Sequence, residues 1–190
     1  MFRFKSNINY FYHNIQMICP SFIVIENFYE NPDEVRKYAL KQNYQYRSSS
    51  YPGKRSTNYY YPMCIHNTLQ TILSPFYSKI KILENSSNGK FQIMNENDKS
   101  WIHVDTDNID KSHETVIAGV CFLTPNAPLD SGTIFYEKKS NDQYIQTDTI
   151  HNKYNRLILF NGNIHHISGK YFGSTDCNSR LTQVFFLNCS

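Results

Sequence analysis

The chain has 190 residues, the size of one globular domain, and its 40% hydrophobic content, with 13 Phe and 15 Tyr, is enough to build a core and excludes intrinsic disorder. Its net charge of +3, from 19 basic and 16 acidic residues scattered along the chain, excludes a strong electrostatic grip on nucleic acid as the default. No apolar run approaches the ~18 residues of a membrane span, so a membrane protein is not expected.

The opening stretch MFRFKSNINYFYHNIQMICP reads as mature sequence, because His13, Asn14 and Gln16 break up any apolar segment of a signal peptide. Phe22, Val24 and Phe28 suit a short strand. Asn31-Pro32 then opens a helix, with Asn31 as N-cap and Pro32 at the first helical position. Asp33 and Glu34 fall where the helix dipole favours negative charge, and Val35, Tyr38, Ala39 and Gln42 follow the spacing of one buried face. A turn at Tyr51-Pro52-Gly53 leads to Tyr59-Tyr60-Tyr61-Pro62, whose rings suit either a substrate groove or core packing. A second helix is expected from His66 to Leu83.

After Gly89 the pattern changes to short strands divided by Asn, Asp, Pro, Gly and Ser. Strands are expected at 90–94, 101–105, 115–123, 132–137, 155–160, 164–168 and 180–188. Helices followed by strands predict an α+β chain, mainly β, ending in a sandwich or barrel. The expected organisation is a single domain, 1–190, with a helical front segment at 1–88 packed against a β core at 89–190. Five widely spaced cysteines, Cys19, Cys64, Cys121, Cys177 and Cys189, form no C-x-x-C pair. They predict reduced thiols in an intracellular protein, neither a zinc ribbon nor a disulfide framework.

The chemistry is carried by three short stretches. In His103-Val104-Asp105 the outer two residues share one face of a strand, which sets an imidazole beside a carboxylate as two legs of a metal site. Later, Asn161-Gly162 turns an apolar strand back through His165 and His166, only one of which can face that site. In the last strand Arg180 and Thr182 share a face that Val184 and Phe186 continue, so this face lines an interior. A buried guanidinium is costly unless an anion meets it, and it grips a carboxylate through paired hydrogen bonds. Three protein ligands leave three positions of an octahedral Fe(II) open, and an inward Arg suits the far carboxylate of a diacid cosubstrate. His13, His66, His113 and His151 show no partner pattern, and Asp107 and Asp110 read as a solvated loop.

In this order the residues resemble the 2-oxoglutarate/Fe(II)-dependent oxygenases, whose fold is a double-stranded β-helix (jelly roll). The stretches AGVCFLTPNAPLDSGTIFYEKK and YNRLILFNGNIHHISGKYFG…NSRLTQVFFLN are most similar to a prolyl-hydroxylase-like branch with many uncharacterised viral and bacterial members. IENFYENPDEVRKYALKQ and the following YPGKRS also resemble that branch.

The resemblance implies that His103, Asp105 and His166 hold Fe(II) and that Arg180 with Thr182 holds the C5 carboxylate of 2-oxoglutarate. His166 is preferred to His165 because relatives read Phe-x-Gly-x-apolar-x-His, counted here from Phe160. The implied reaction uses O2 and 2-oxoglutarate, releases succinate and CO2, and hydroxylates a C–H bond of a peptide side chain or small metabolite. Asp105 sets the chain apart from the halogenating variants, which lack that ligand. Two departures stand out: Ser131-Gly132 replaces a frequent Gly-Gly pair, and Phe91, Gln92 and Met94 occupy a strand that often offers a Tyr. The alternative is a non-catalytic jelly-roll binding module. A cupin-like metal dioxygenase or isomerase is a third reading, and it gives Arg180 no anion to meet. A protein, peptide or small-molecule partner is expected in an intracellular, cytoplasmic setting, with a virus-encoded source allowed.

Overall fold

The computed structural model describes residues 19–46, 51–83, 87–106, 115–139 and 143–190. His13, Asp107, Asp110 and His113 lie outside them. In chain order the elements begin with β1 (Phe22–Ile25), α1 (Pro32–Leu40), β2 (Tyr44–Tyr46), β3 (Lys54–Tyr59), α2 (Met63–Leu73) and β4 (Ile80–Ile82). Strands then dominate: β5 (Lys90–Met94), β6 (Thr115–Phe122), β7 (Thr133–Lys138), β8 (Tyr144–Ile150), β9 (Leu157–Asn161), β10 (His165–Ser168) and β11 (Arg180–Cys189). All pairings are antiparallel. The larger sheet runs β1-β9-β6-β11-β5-β3-β2, with β4 joined to β11, and the smaller runs β10-β7-β8.

β11 is central and buried on both faces. Because strand side chains alternate, each face joins a different layer. Leu181, Phe185, Leu187 and Cys189 pack with Val35 and Ala39 of α1 and Ile65, Leu69 and Leu73 of α2, so the helices cover the outer side of the large sheet. Val184 and Phe186 pack with Ala118, Phe122, Ile158 and Phe160, and with Phe135 from the small sheet. Arg180 and Thr182 alternate onto this inner face, between the sheets. No helix among the described residues is long and apolar enough to cross a membrane.

α1 starts where its sequence predicts, with Pro32 at its first position, although the Asn31 side chain makes no capping bond. Its buried stripe is narrow. Val35 and Ala39 are buried, whereas Tyr38 is 40% exposed and Gln42 lies beyond the helix end. α2 is shorter than the expected 66–83. Proline has no N–H, so Pro75 cannot donate to the Thr71 carbonyl, and the Ser74 hydroxyl does so instead at 3.1 Å. The residues after it form β4. Tyr60 and Tyr61 pack against the helix-side core, and Tyr59 is exposed.

The front segment is more than helical, since β1 to β4 all join the large sheet. β8, which is not among the expected strands, is an exposed edge strand paired to β7. The expected strand at 101–105 does not form. His103 makes one isolated bridge to His166, and Asp105 lies in a turn. All five cysteines are free, and Cys121 and Cys189 are buried.

Candidate metal centre and its cavity

Backbone pairing brings the three proposed ligands together. The His103 N–H donates to the His166 carbonyl at 3.0 Å and the His166 N–H returns to His103 at 2.9 Å. Two residues on, the Asp105 N–H donates to the Gly162 carbonyl at 2.8 Å, so His-x-Asp is tied to β10 at one leg and to the β9–β10 turn at the other. The shared face expected of a strand is therefore reached by a bridge and a turn.

Hydrogen bonding assigns the tautomers of both imidazoles. Nδ1 of His103 lies 2.9 Å from the Trp101 carbonyl, and Nδ1 of His166 lies 2.9 Å from the Ile164 carbonyl. A carbonyl can only accept, so each Nδ1 carries a proton, and in the unprotonated ring Nε2 is the bare nitrogen. These nitrogens face Asp105: His103 Nε2 lies 3.8 Å from Oδ1, and His166 Nε2 lies 3.5 Å from Oδ2. Lone pairs and a carboxylate converging in this way repel unless a cation lies between them. The three ligand atoms fall within 4.8 Å of one another, so the trio fits a metal ion with imidazole and carboxylate donors and open positions. His165 points elsewhere, with its ring 5.2 Å from that of Tyr144.

Burial dominates the ionisation of His166 and lowers its pKa from 6.5; Asp105 opposes this, and His103 reinforces it. Between the lowered value and 6.5 the unfolded chain binds a proton that the folded chain does not. The metal-free fold therefore loses stability as pH falls below 6.5, and His166→Gln is expected to remove that part of the slope. Urea midpoints with EDTA at about pH 5.5 and about pH 7.5 measure it. Identical pH slopes for both proteins would contradict the assignment.

The centre opens into a cavity of about 520 Å³ between the sheets. At one wall, Arg180 is fully buried. Its Nε donates to the Ser131 carbonyl at 2.7 Å and Nη2 to the Gly132 carbonyl at 3.1 Å, and Phe122 lies 5.3 Å below the guanidinium. Burial lowers its pKa to about 10, and no carboxylate among the described residues pairs with it. Thr182 and Val184 line the same space.

The Ser-Gly departure is explained locally. A Cβ on Gly132 would lie 1.9 Å from the Ile150 carbonyl oxygen, so that position admits only glycine. Ser131 has room for its hydroxyl, which donates to Pro128 at 2.5 Å and accepts from Asn152 at 2.9 Å.

Two cavity residues were not legible as site residues. Gln92 of β5 takes part in the wall, and Arg55 reaches it from β3. The available signal was Arg55 within YPGKRS, a polar motif just after a turn.

Comparison with known proteins places this architecture. The fold is shared with solved 2-oxoglutarate/Fe(II) oxygenases at low sequence identity. An oxidoreductase of that family from Burkholderia pseudomallei superposes with a TM-score of 0.57 at 12% identity, covering 88% of this chain and 84% of that one. A Pseudomonas putida prolyl-4-hydroxylase gives 0.53 at 12% identity, covering 90% and 93%. HygX from Streptomyces hygroscopicus, solved with nickel and 2-oxoglutarate bound, gives 0.59 at 11% identity, covering 90% and 83%. Residues 7–143 match DUF6445, described as a family of unknown function, and the chain belongs to that family. A search of curated proteins finds no match.

Proposed function

We propose that this chain is an Fe(II)- and 2-oxoglutarate-dependent oxygenase, and that its paired sheets form a double-stranded β-helix within a single domain. It would hydroxylate a C–H bond of a peptide side chain or small metabolite, with release of succinate and CO2. The observation that carries this reading is one cavity holding both a His-Asp-His convergence and a buried, acid-free arginine.

His103, Asp105 and His166 would hold Fe(II), and Arg180 with Thr182 would hold the distal carboxylate of 2-oxoglutarate. When bound, iron and cosubstrate supply the oxidising power drawn from O2. The chain supplies orientation. The Trp101 and Ile164 carbonyls fix both imidazole rings, and the Ser131 and Gly132 carbonyls hold the guanidinium level. Phe135 and Phe160 shield the His166 ring from water.

Succinate formation from 2-oxoglutarate, with Fe(II) and O2 supplied, tests the proposal. Wild type is expected to turn over, and His103→Ala and Arg180→Ala are expected to fall to background. A wild-type protein that binds neither metal nor 2-oxoglutarate would rule it out.

A further inference from the structure

Tyr51, Pro52 and Arg55 of the segment YPGKRS line the cavity, and the residues between and after them hold the segment in place. Gly53 has φ +67°, and a Cβ there would lie 2.2 Å from the Ile93 carbonyl oxygen, so only glycine lets the chain pass this close to β5. That passage sets the register Lys54↔Ile93 and Arg55↔Gln92. Lys54 pairs with Asp176 at 2.6 Å, and the Ser56 hydroxyl accepts from the Phe91 N–H at 3.0 Å. Gln92 Nε2 donates to the Pro52 carbonyl at 2.7 Å, which turns its Oε1 toward Arg55. Nε and Nη2 of Arg55 donate to that oxygen at 3.2 and 3.1 Å, Nη1 donates to the Ser87 hydroxyl at 2.6 Å, and the Tyr51 ring stacks 4.2 Å from the guanidinium.

We propose that Arg55 anchors a carboxylate of the molecule to be oxidised, at a subsite distinct from Arg180; this rests on the oxygenase assignment above. Its direct partners are neutral, an amide oxygen and a hydroxyl. They use three of the about five N–H groups of a guanidinium, leaving one on each terminal nitrogen. Arg55 lines the same cavity as the His-Asp-His trio, makes no ion pair with a described carboxylate, and feels Asp105 only at longer range. A desolvated cation held by neutral groups is a receptor for an anion.

The cosubstrate does not supply that anion. On the assignment above, one of its carboxylates lies at the metal and the other at Arg180. Arg55 stands two strands away, across the row Arg55↔Gln92↔Thr182, roughly 10 Å from Thr182 at the usual strand spacing. A single guanidinium balances one charge, which favours a carboxylate over a phosphate dianion. Trp101, 45% exposed and beside His103, adds an apolar wall for the body of such a substrate.

Calorimetric titration of Mn(II)-loaded protein tests this, with 2-oxoglutarate binding measured first. At saturating 2-oxoglutarate, N-acetyl amino acids are then titrated as free acids and as primary amides, alongside short peptides carrying Glu or Gln. Wild type is expected to bind acids about tenfold or more tightly than the matching amides, the value of a charge-assisted contact. Arg55→Met should bring acids and amides to within about twofold, and Arg55→Lys should keep part of the preference. The free-acid and Glu-peptide arms distinguish a small acid from an acidic peptide.

The subsite is overturned if acids and amides bind alike, if no acid binds while 2-oxoglutarate does, or if the preference survives in Arg55→Met. A fall in 2-oxoglutarate affinity in Arg55→Met as large as that in Arg180→Ala would also overturn it, by placing Arg55 in the cosubstrate site. Failure of wild type to bind 2-oxoglutarate is a separate result, and it removes the oxygenase assignment itself.

Discussion

Asp105→Ala is expected to weaken metal binding by more than about 100-fold and to abolish succinate formation while leaving a folded protein. The carboxylate is the one negatively charged donor of the trio, and it faces both bare imidazole nitrogens, at 3.8 and 3.5 Å. Without it the two histidines remain oriented, because their Nδ1 protons are held by the Trp101 and Ile164 carbonyls and not by Asp105. What is lost is the charge that neutralises a divalent ion and the third point that fixes its geometry. Losing a hydrogen-bond partner of a ligand typically costs about 10–100-fold in metal affinity, so losing a ligand should cost more. Mn(II) titration followed by electron paramagnetic resonance reads this directly. Wild type should also gain about 2.7 kcal/mol of stability at a ligand concentration about 100 times Kd, and Asp105→Ala should gain none. Wild-type metal affinity in the variant would remove Asp105 from the site.

The parts of this site that were legible in the sequence are those that depend on local geometry. Arg180-x-Thr182 places two side chains on one strand face, so a period-2 argument suffices there, whereas His103-x-Asp105 was legible as a close pair although a bridge and a turn, not a strand, bring it together. The choice between His165 and His166 needed the family pattern, because strand alternation says only that one of them faces inward. Arg55 and Gln92 were not legible as site residues. Their roles depend on β3 and β5 lying beside β11 in one register, and that is a long-range property. Here it hangs on the close approach of Gly53 to Ile93. The same limit explains the errors in the elements. β8 owes its existence to β7 and not to an apolar pattern, and 101–105 is held by one bridge and a turn where strand propensity alone suggested a ladder.

Arg180→Leu is expected to separate cosubstrate binding from folding. The guanidinium is fully buried, burial is the main influence on its pKa, and its hydrogen bonds go to two backbone carbonyls. Leucine removes a desolvated cation, which favours the metal-free fold, and leaves the Ser131 and Gly132 carbonyls without that donor, which opposes it by ~1–3 kcal/mol each. These effects oppose each other, so the urea midpoint of the metal-free variant should change little. No such offset exists for 2-oxoglutarate. Two charge-assisted hydrogen bonds at ~1.5–3 kcal/mol each imply a loss of affinity of roughly 100-fold or more. Arg180→Lys keeps the charge without the planar fork and should fall between. A sharper measurement compares 2-oxoglutarate with 2-oxopentanoate, which has the same chain length but no distal carboxylate. Wild type should prefer the diacid by roughly that same factor, and Arg180→Leu should bind the two nearly alike. Were Arg180 only a structural residue, the variant would instead lose stability and keep the preference, because the carboxylate would be recognised elsewhere in the cavity.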